Sequence, residues 1–274
     1  MKKGLVWLLV LALGLSLTAC RGERDASSAP EEPESFVPVG SVQEYFTSEY
    51  YVDETVGVGV HYLLHEPIRA SAREDLDAPV PLVIFLHGLG DTVDETNLGT
   101  AGPFVESMMA LENRSAEYGT YTLVPKTPLA HEGWWTAEML TAFKELIYYV
   151  IGIGNVDPKR VYLSGISMGG FVTCQLVNEM PADTFAAAVP LSGASRLNDP
   201  RAVYNTAFRI YHVATDTVVN VSTSRSLNEQ LFMYKHPNFA YFESETGNHI
   251  SPLYTVFYDQ RDEFFGWLFD QRLP

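Results

Sequence analysis

Gly165-Ile166-Ser167-Met168-Gly169 places a serine between two glycines, each two residues away. A serine hydroxyl is a weak nucleophile until a base takes its proton, so a serine used for chemistry must stand clear of its neighbours and within reach of that base. A sharp turn from strand to helix achieves this. It thrusts the serine out at the helix N-terminus, and glycines at the outer positions let the backbone approach itself. The flanking sequence suits such a turn: Val161-Tyr162-Leu163 reads as a strand and Met168 to Asn178 as a helix. The pair Gly169-Gly170 allows that helix to pack close to a sheet. Ser164 sits in the strand end without flanking glycines and is the weaker candidate. A Gly-rich turn with an idle serine is the competing reading, and the partners decide between them.

Attack on a carbonyl also requires N–H donors for the oxyanion. His87-Gly88-Leu89-Gly90 follows an apolar run, and the Leu89 N–H, after flexible Gly88, is the expected first donor; Met168, the residue after the serine, is the expected second. His87 precedes the serine in the chain and is expected to prop this loop. The order serine, acid, histidine then selects the remaining partners. Three histidines follow Ser167. His212 lies inside a strand, and His236 precedes Pro237 at a strand entrance. His249 lies in Glu245-Thr246-Gly247-Asn248-His249, a loop just after the strand Phe239–Phe242, and is the expected base. The acid should end the preceding strand, where Phe208 to Asp216 places Asp216. Asp199 is the rival, but no strand separates it from Ser192-Gly193.

The elements that must position these groups alternate. Pro81 to Leu86 is a continuous apolar run of the kind that forms a strand buried on both faces of a parallel sheet. Val56 to Leu64 reads as extended, Phe104 to Leu111 as a short helix, and Tyr121 to Val124 as a strand ended by Pro125. Ala137 to Ile151 is a helix with Met139, Leu140, Phe143, Leu146, Ile147 and Val150 on one face. Asp157-Pro158 opens the next unit. Ala186–Leu191 and Phe208–Val213 are expected strands, Val221–Tyr234 a helix, and Asp259–Phe269 a closing helix. The pattern predicts an α/β fold, a mostly parallel sheet with helices on both faces, formed as one domain over residues 41–274.

The combination HGLGDT, DPKRVYLSGISMGG, a strand ending in Asp216, and GNH resembles the bacterial esterases of the α/β-hydrolase superfamily. The match is nearest to the phospholipase/carboxylesterase and secreted polyester or feruloyl esterase branches, and it covers about residues 50–270. It implies a cofactor-free serine hydrolase that cleaves small or polymeric carboxylic esters through an acyl-enzyme. Ser167, Asp216 and His249 would be the triad, with Leu89 and Met168 as oxyanion donors. One departure stands out. Many relatives run His-Gly-x-x-Asp into the acid, whereas this chain has His212-Val213-Ala214-Thr215-Asp216, which puts the acid loop in question. A serine peptidase of the same fold and a non-catalytic ligand-binding lipoprotein are the alternatives.

Lys2 and Lys3 precede an apolar run from Leu5 to Leu17, broken only by Gly14 and Ser16. Spanning a bilayer takes about 20 apolar residues, so the run suits a secretory signal better than a membrane span. It ends in Leu17-Thr18-Ala19-Cys20, which resembles the lipobox of bacterial lipoproteins. That resemblance implies a signal peptide over 1–19 and lipidation of Cys20 by acyl chains such as palmitate, placing the protein in the cell envelope on a bacterial membrane. Pro30-Glu31-Glu32-Pro33-Glu34 marks residues 20–40 as a flexible tether.

The 274 residues carry 18 Lys+Arg against 34 Asp+Glu, a formal charge of −16. Losing Lys2 and Lys3 takes it to −18. Nucleic acid is not an expected partner, because a phosphate-binding face needs clustered cations. Cys174 is expected to be a small buried hydrophobe. Trp134 and Trp135 are candidates to wall the substrate pocket or to pack against the core. His61 and His65 share a strand face with no carboxylate or thiol at ligand spacing, so no metal site is expected.

Overall fold

A computed structural model describes residues 40–67, 78–91, 93–94, 96–114, 119–127 and 136–274. Cys20, Trp134 and Trp135 lie outside them. In chain order the elements are α1 (Val42–Tyr45), β1 (Thr47–Asp53), β2 (Val58–His65), β3 (Val80–Leu86), α2 (Gly102–Glu112), β4 (Tyr121–Lys126), α3 (Ala137–Ile153) and β5 (Val156–Ile166). There follow α4 (Met168–Glu179), β6 (Ala187–Leu191), β7 (Ala207–Val213), α5 (Ser222–Met233), β8 (Phe239–Ser244), α6 (Ser251–Tyr254) and α7 (Arg261–Phe269). The strands form one sheet in the order β1-β2-β4-β3-β5-β6-β7-β8.

The six strands from β4 to β8 in this order are mutually parallel, and β2 runs antiparallel to both β1 and β4. In β3 the side chains alternate between two cores, as the two-residue period of a strand requires. Leu82, Ile84 and Leu86 join one core with Phe143 and Val150 of α3, Val172 and Leu176 of α4, and Leu227 of α5. Val83 and Phe85 join the other with Phe104 and Met108 of α2 and Phe264, Phe265 and Leu268 of α7. Burial on both faces is why β3 is apolar without interruption.

Three details depart from the sequence expectations. The strand β1 went unpredicted because, as an edge strand rich in Ser, Glu and Tyr, it exposes most of its residues and carries no apolar signal. Pro125 does not end β4. The last β3–β4 pair is Ile84 with Leu123, so the missing N–H of Pro125 falls where only β2, at Tyr62, lies beside it. Asp157-Pro158 lies within β5 rather than ahead of it. The register slips there, between the pairs Val80–Val156 and Leu82–Val161. The Asp157 carboxylate fastens the irregularity by accepting from Arg160 Nε at 2.9 Å and an Arg272 guanidinium nitrogen at 2.6 Å.

His65 also differs from expectation. A carboxylate does accompany His65, supplied by α2: Nε2 lies 2.6 Å from Glu112 Oε2, with both side chains buried. The other ring nitrogen donates to the Tyr45 carbonyl at 2.7 Å, and the Tyr45 ring stacks on the imidazole. The pair ties α1 and α2 to the sheet. No group of three or more metal-ligating side chains is found among the described residues. Cys174 is buried in the core, where burial pushes its thiol up to about 11.

Candidate active site

The loops that follow β3, β5, β7 and β8 lie at the carboxyl ends of parallel strands, where open α/β sheets gather their ligand sites. They bring together Leu89, Ser167, Asp216 and His249. Ser167 joins β5 to α4 with φ 57° and ψ −116°, a conformation that non-glycine residues rarely adopt. Its neighbours must be glycines for steric reasons. A Cβ at Gly165 would lie 2.5 Å from the Gly169 carbonyl oxygen, and one at Gly169 would lie 2.2 Å from that of Leu86. The helix therefore seats directly on the end of β3. The Ser167 N–H is held by the Leu191 carbonyl at 2.8 Å, which anchors the turn to β6. As the first helical residue, Met168 has an N–H with no intrahelical acceptor.

His87 and Asp91 fix the loop after β3. His87 donates from Nδ1 to the Gly88 carbonyl at 2.7 Å, and its Nε2 accepts from the Thr127 N–H at 3.2 Å. The Gly88 N–H is taken by Thr100 Oγ1 at 3.0 Å and Asp91 Oδ2 at 3.3 Å. The Gly88 carbonyl and the Leu89 N–H belong to one planar trans peptide and point in opposite directions, so a pinned carbonyl aims the amide. Among the described residues the Leu89 N–H has no hydrogen-bond partner.

His249 Nδ1 lies 2.7 Å from Asp216 Oδ2. A carboxylate with donors around it accepts, so Nδ1 carries the proton and Nε2 is the basic nitrogen of the neutral ring. That Nε2 is buried and has no hydrogen-bond partner among the described residues. Asp216 also accepts at Oδ1 from the Val218 N–H at 2.8 Å and the Val219 N–H at 3.1 Å. Burial alone would raise its pKa, but the His249 bond and the two amides outweigh burial and hold the carboxyl below its ordinary range. Val213, at the position where the resemblance implies a glycine, does not draw Asp216 away from His249. The Asp216 N–H returns to the Val213 carbonyl at 3.1 Å. The Val213 side chain lies against Gly247, whose φ of +145° shapes the histidine loop. Thr215 Oγ1 donates to the Gly247 carbonyl at 3.1 Å and joins the two loops. Asp199 is exposed and accepts from the Arg201 N–H at 3.0 Å, away from these groups.

Sequence reasoning set His212 aside because it lies inside a strand. The structure places it there, but also against Asp216, with Nε2 3.2 Å from Oδ2. The i,i+4 spacing of His212 and Asp216 was the available signal. Ser167, Leu89, Met168 and His249 line one cavity of about 490 Å³. Its wall is mainly apolar, from Ile166, Phe171, Val218 and Ile250, and among the described residues no Lys or Arg lines it.

His87, His212 and His236 share a design with a consequence for stability. Each is buried and donates from one ring nitrogen to a carbonyl while the other nitrogen receives a donor. Burial holds all three below the ordinary histidine value. Their folded values are depressed, so their contribution is complete above the unfolded value of about 6.5 and is lost as the pH falls below it, because only the unfolded chain takes up the protons. Urea unfolding at pH 7, 6 and 5 should show stability falling, by up to about 4 kcal/mol per pH unit if three protons are taken up. A flat profile from pH 7 to 5 would contradict the neutral assignment.

No family model matches the chain. A bifunctional acetylxylan esterase/xylanase of Neocallimastix patriciarum is 25% identical over 162 residues, covering 56% of this chain and 22% of that protein. The crystal structure of a thermostable esterase superposes with a TM-score of 0.70 at 25% identity, over 84% of this chain and 64% of that one. An S-formylglutathione hydrolase of Staphylococcus aureus gives a TM-score of 0.57 at 18% identity, over 82% of this chain and 98% of its own. A ferulic acid esterase gives 0.57 at 16% identity, over 77% of this chain and 96% of its own. The chain thus spans less than a quarter of the curated relative and just under two thirds of the thermostable esterase. The sheet, its helices and these neighbours define an α/β-hydrolase fold.

Proposed function

We propose that this α/β-hydrolase is a serine esterase that cleaves carboxylic esters through an acyl-enzyme. The observation that carries the reading is the hydrogen bond from His249 Nδ1 to Asp216 Oδ2, which leaves Nε2 basic beside a cavity shared with a strained Ser167. The esterase relatives support it.

In this mechanism His249 Nε2 takes the proton from Ser167 Oγ as the oxygen attacks the ester carbonyl carbon. Negative charge gathers on the carbonyl oxygen, and the N–H groups of Leu89 and Met168 receive it. Asp216 stays ionised and stabilises the imidazolium without taking its proton. Collapse of the tetrahedral intermediate breaks the bond to the alcohol, which leaves with the proton from His249. Water, deprotonated by His249, then attacks the acyl carbon, and Ser167 Oγ departs and recovers a proton.

The apolar wall and the absence of a lining cation among the described residues suit an uncharged acyl group. A carboxylate on that group would enter a mainly apolar cavity with no Lys or Arg partner among the described residues, and with Asp91 in its wall, in a chain of charge −16. Chromogenic esters of matched size, one with a neutral acyl group and one ending in a carboxylate, test this. The neutral ester should be favoured in kcat/KM by about 10-fold or more, the cost of one unpaired polar group. Failure to hydrolyse either ester would remove the esterase reading; equal rates would remove the specificity.

The signal over residues 1–19 and Cys20 support a second part of the reading, an exported enzyme held on a bacterial membrane by a lipid at Cys20. Among the described residues no helix is long and apolar enough to cross a membrane. Cys20→Ser should move the protein from the membrane fraction to the soluble fraction with its activity intact, and retention in the membrane would refute the lipid anchor.

A further inference from the structure

We infer that His212 is a positioning residue for the acid of the triad: as a neutral N–H donor it locks the Asp216 carboxylate in the orientation that holds His249. The inference rests on the esterase reading and deepens it. His212 lies one residue before the end of β7, with its side chain and that of Asp216 fully buried. Its Nε2 faces two acceptors, Asp216 Oδ2 at 3.2 Å and the Val219 carbonyl at 3.1 Å. Facing only acceptors, Nε2 carries the proton. Nδ1 lies 2.7 Å from Oγ of Ser224, a buried residue of α5, and accepts its hydroxyl proton. The ring is thus fixed in one tautomer from behind and donates forward.

This arrangement completes the coordination of the acid. Oδ1 receives the amides of Val218 and Val219 and Oδ2 receives His249 Nδ1–H, while His212 Nε2–H, which donates to the Val219 carbonyl at 3.1 Å, also faces Oδ2 at 3.2 Å. Val219 gives its N–H to the carboxylate and its carbonyl to His212, so the imidazole closes the turn from Asp216 to Val219 upon itself. Without His212, Oδ2 would keep His249 alone, and both the neighbour that limits tilting of Oδ2 and the Nε2–H that fastens the Val219 carbonyl would be lost. The neutrality of the donor matters. A cation behind Asp216 would weaken the field that stabilises the His249 imidazolium, whereas a neutral N–H orients the carboxylate and leaves its charge in place. Glu243, opposite His212 in the β7–β8 register, is paired with Arg225, and His249 is the other titratable group acting on the ring.

The test compares His212→Leu, which removes the donor, with His212→Gln, whose amide retains one. The readouts are kcat and KM on a neutral ester, thermal midpoints, and the low-field proton resonance of the His249–Asp216 bond. His212→Leu should lower kcat roughly 10- to 100-fold, the range seen for outer partners of a site, with KM within about twofold, because the cavity itself is untouched. His212→Gln should recover most of kcat, and the low-field resonance should broaden or vanish in the Leu variant alone. Should His212→Leu fail to fold, Ser224→Ala, which releases the tautomer, serves instead and should lower kcat at unchanged KM. A Leu variant as active as the native chain overturns the inference. So does a Gln variant as impaired as Leu, or a Ser224→Ala variant that leaves kcat unchanged in that case. If the native enzyme does not hydrolyse the ester, the esterase reading falls instead, and the resonance still reports whether His212 orients Asp216.

Discussion

Ser167→Ala is expected to lower kcat by about 10⁶, the loss found when a triad nucleophile is removed. The fold should survive. Alanine is smaller, the strained turn is held by backbone contacts, and the Ser167 N–H still reaches the Leu191 carbonyl. The thermal midpoint of the variant should therefore lie close to that of the native chain. What remains would be the effect of the oxyanion amides and of binding. Rates within tenfold of native, measured on a folded variant, would remove the serine mechanism.

The second large effect concerns the acid. Asp216→Asn is expected to reduce kcat by roughly 10² to 10⁴, the upper figure being that of the serine proteases. Asparagine can still accept the Val218 and Val219 amides at its oxygen, so the turn should persist and the thermal midpoint should move little. Its NH₂ group, however, would meet two N–H groups, His249 Nδ1–H at 2.7 Å, from which Asp216 Oδ2 now accepts, and His212 Nε2–H, which faces the same oxygen at 3.2 Å. His249 must then shed its Nδ1 proton or turn away, and either change removes a basic Nε2 from the cavity. Asp199→Asn should leave kcat unchanged, because Asp199 is exposed and closes a local turn at Arg201. Inactivation by Asp199→Asn with a near-native Asp216→Asn would transfer the role of acid to Asp199.

The parts of the site visible in the sequence are those governed by local geometry. Gly165 and Gly169 are required by contacts of 2.5 and 2.2 Å that a Cβ would make, so the turn at Ser167 announces itself. Strand ends are marked by where apolar runs stop, which placed Leu89, Asp216 and His249 on loops at the same edge of the sheet. Partnerships across the fold leave no local mark. Glu112 reaches His65 from α2, and Ser224 reaches His212 from α5. Neither pair has a sequence spacing that identifies it. The edge strand β1 was hidden because its exposed face carries no apolar period, and the Asp157-Pro158 irregularity because its stabilising contact, Arg272, lies 115 residues away.

Labelling with a fluorophosphonate, followed by intact-mass measurement and peptide mapping, tests the central claim most directly. The reagent phosphonylates a serine only when a base activates it and donors hold the developing oxyanion. One adduct per chain is expected, on the peptide carrying Gly165 to Gly169, with Ser167 as the modified residue and no adduct on Ser167→Ala. A native, folded chain that takes up no label, or that carries it on another serine, would contradict the account.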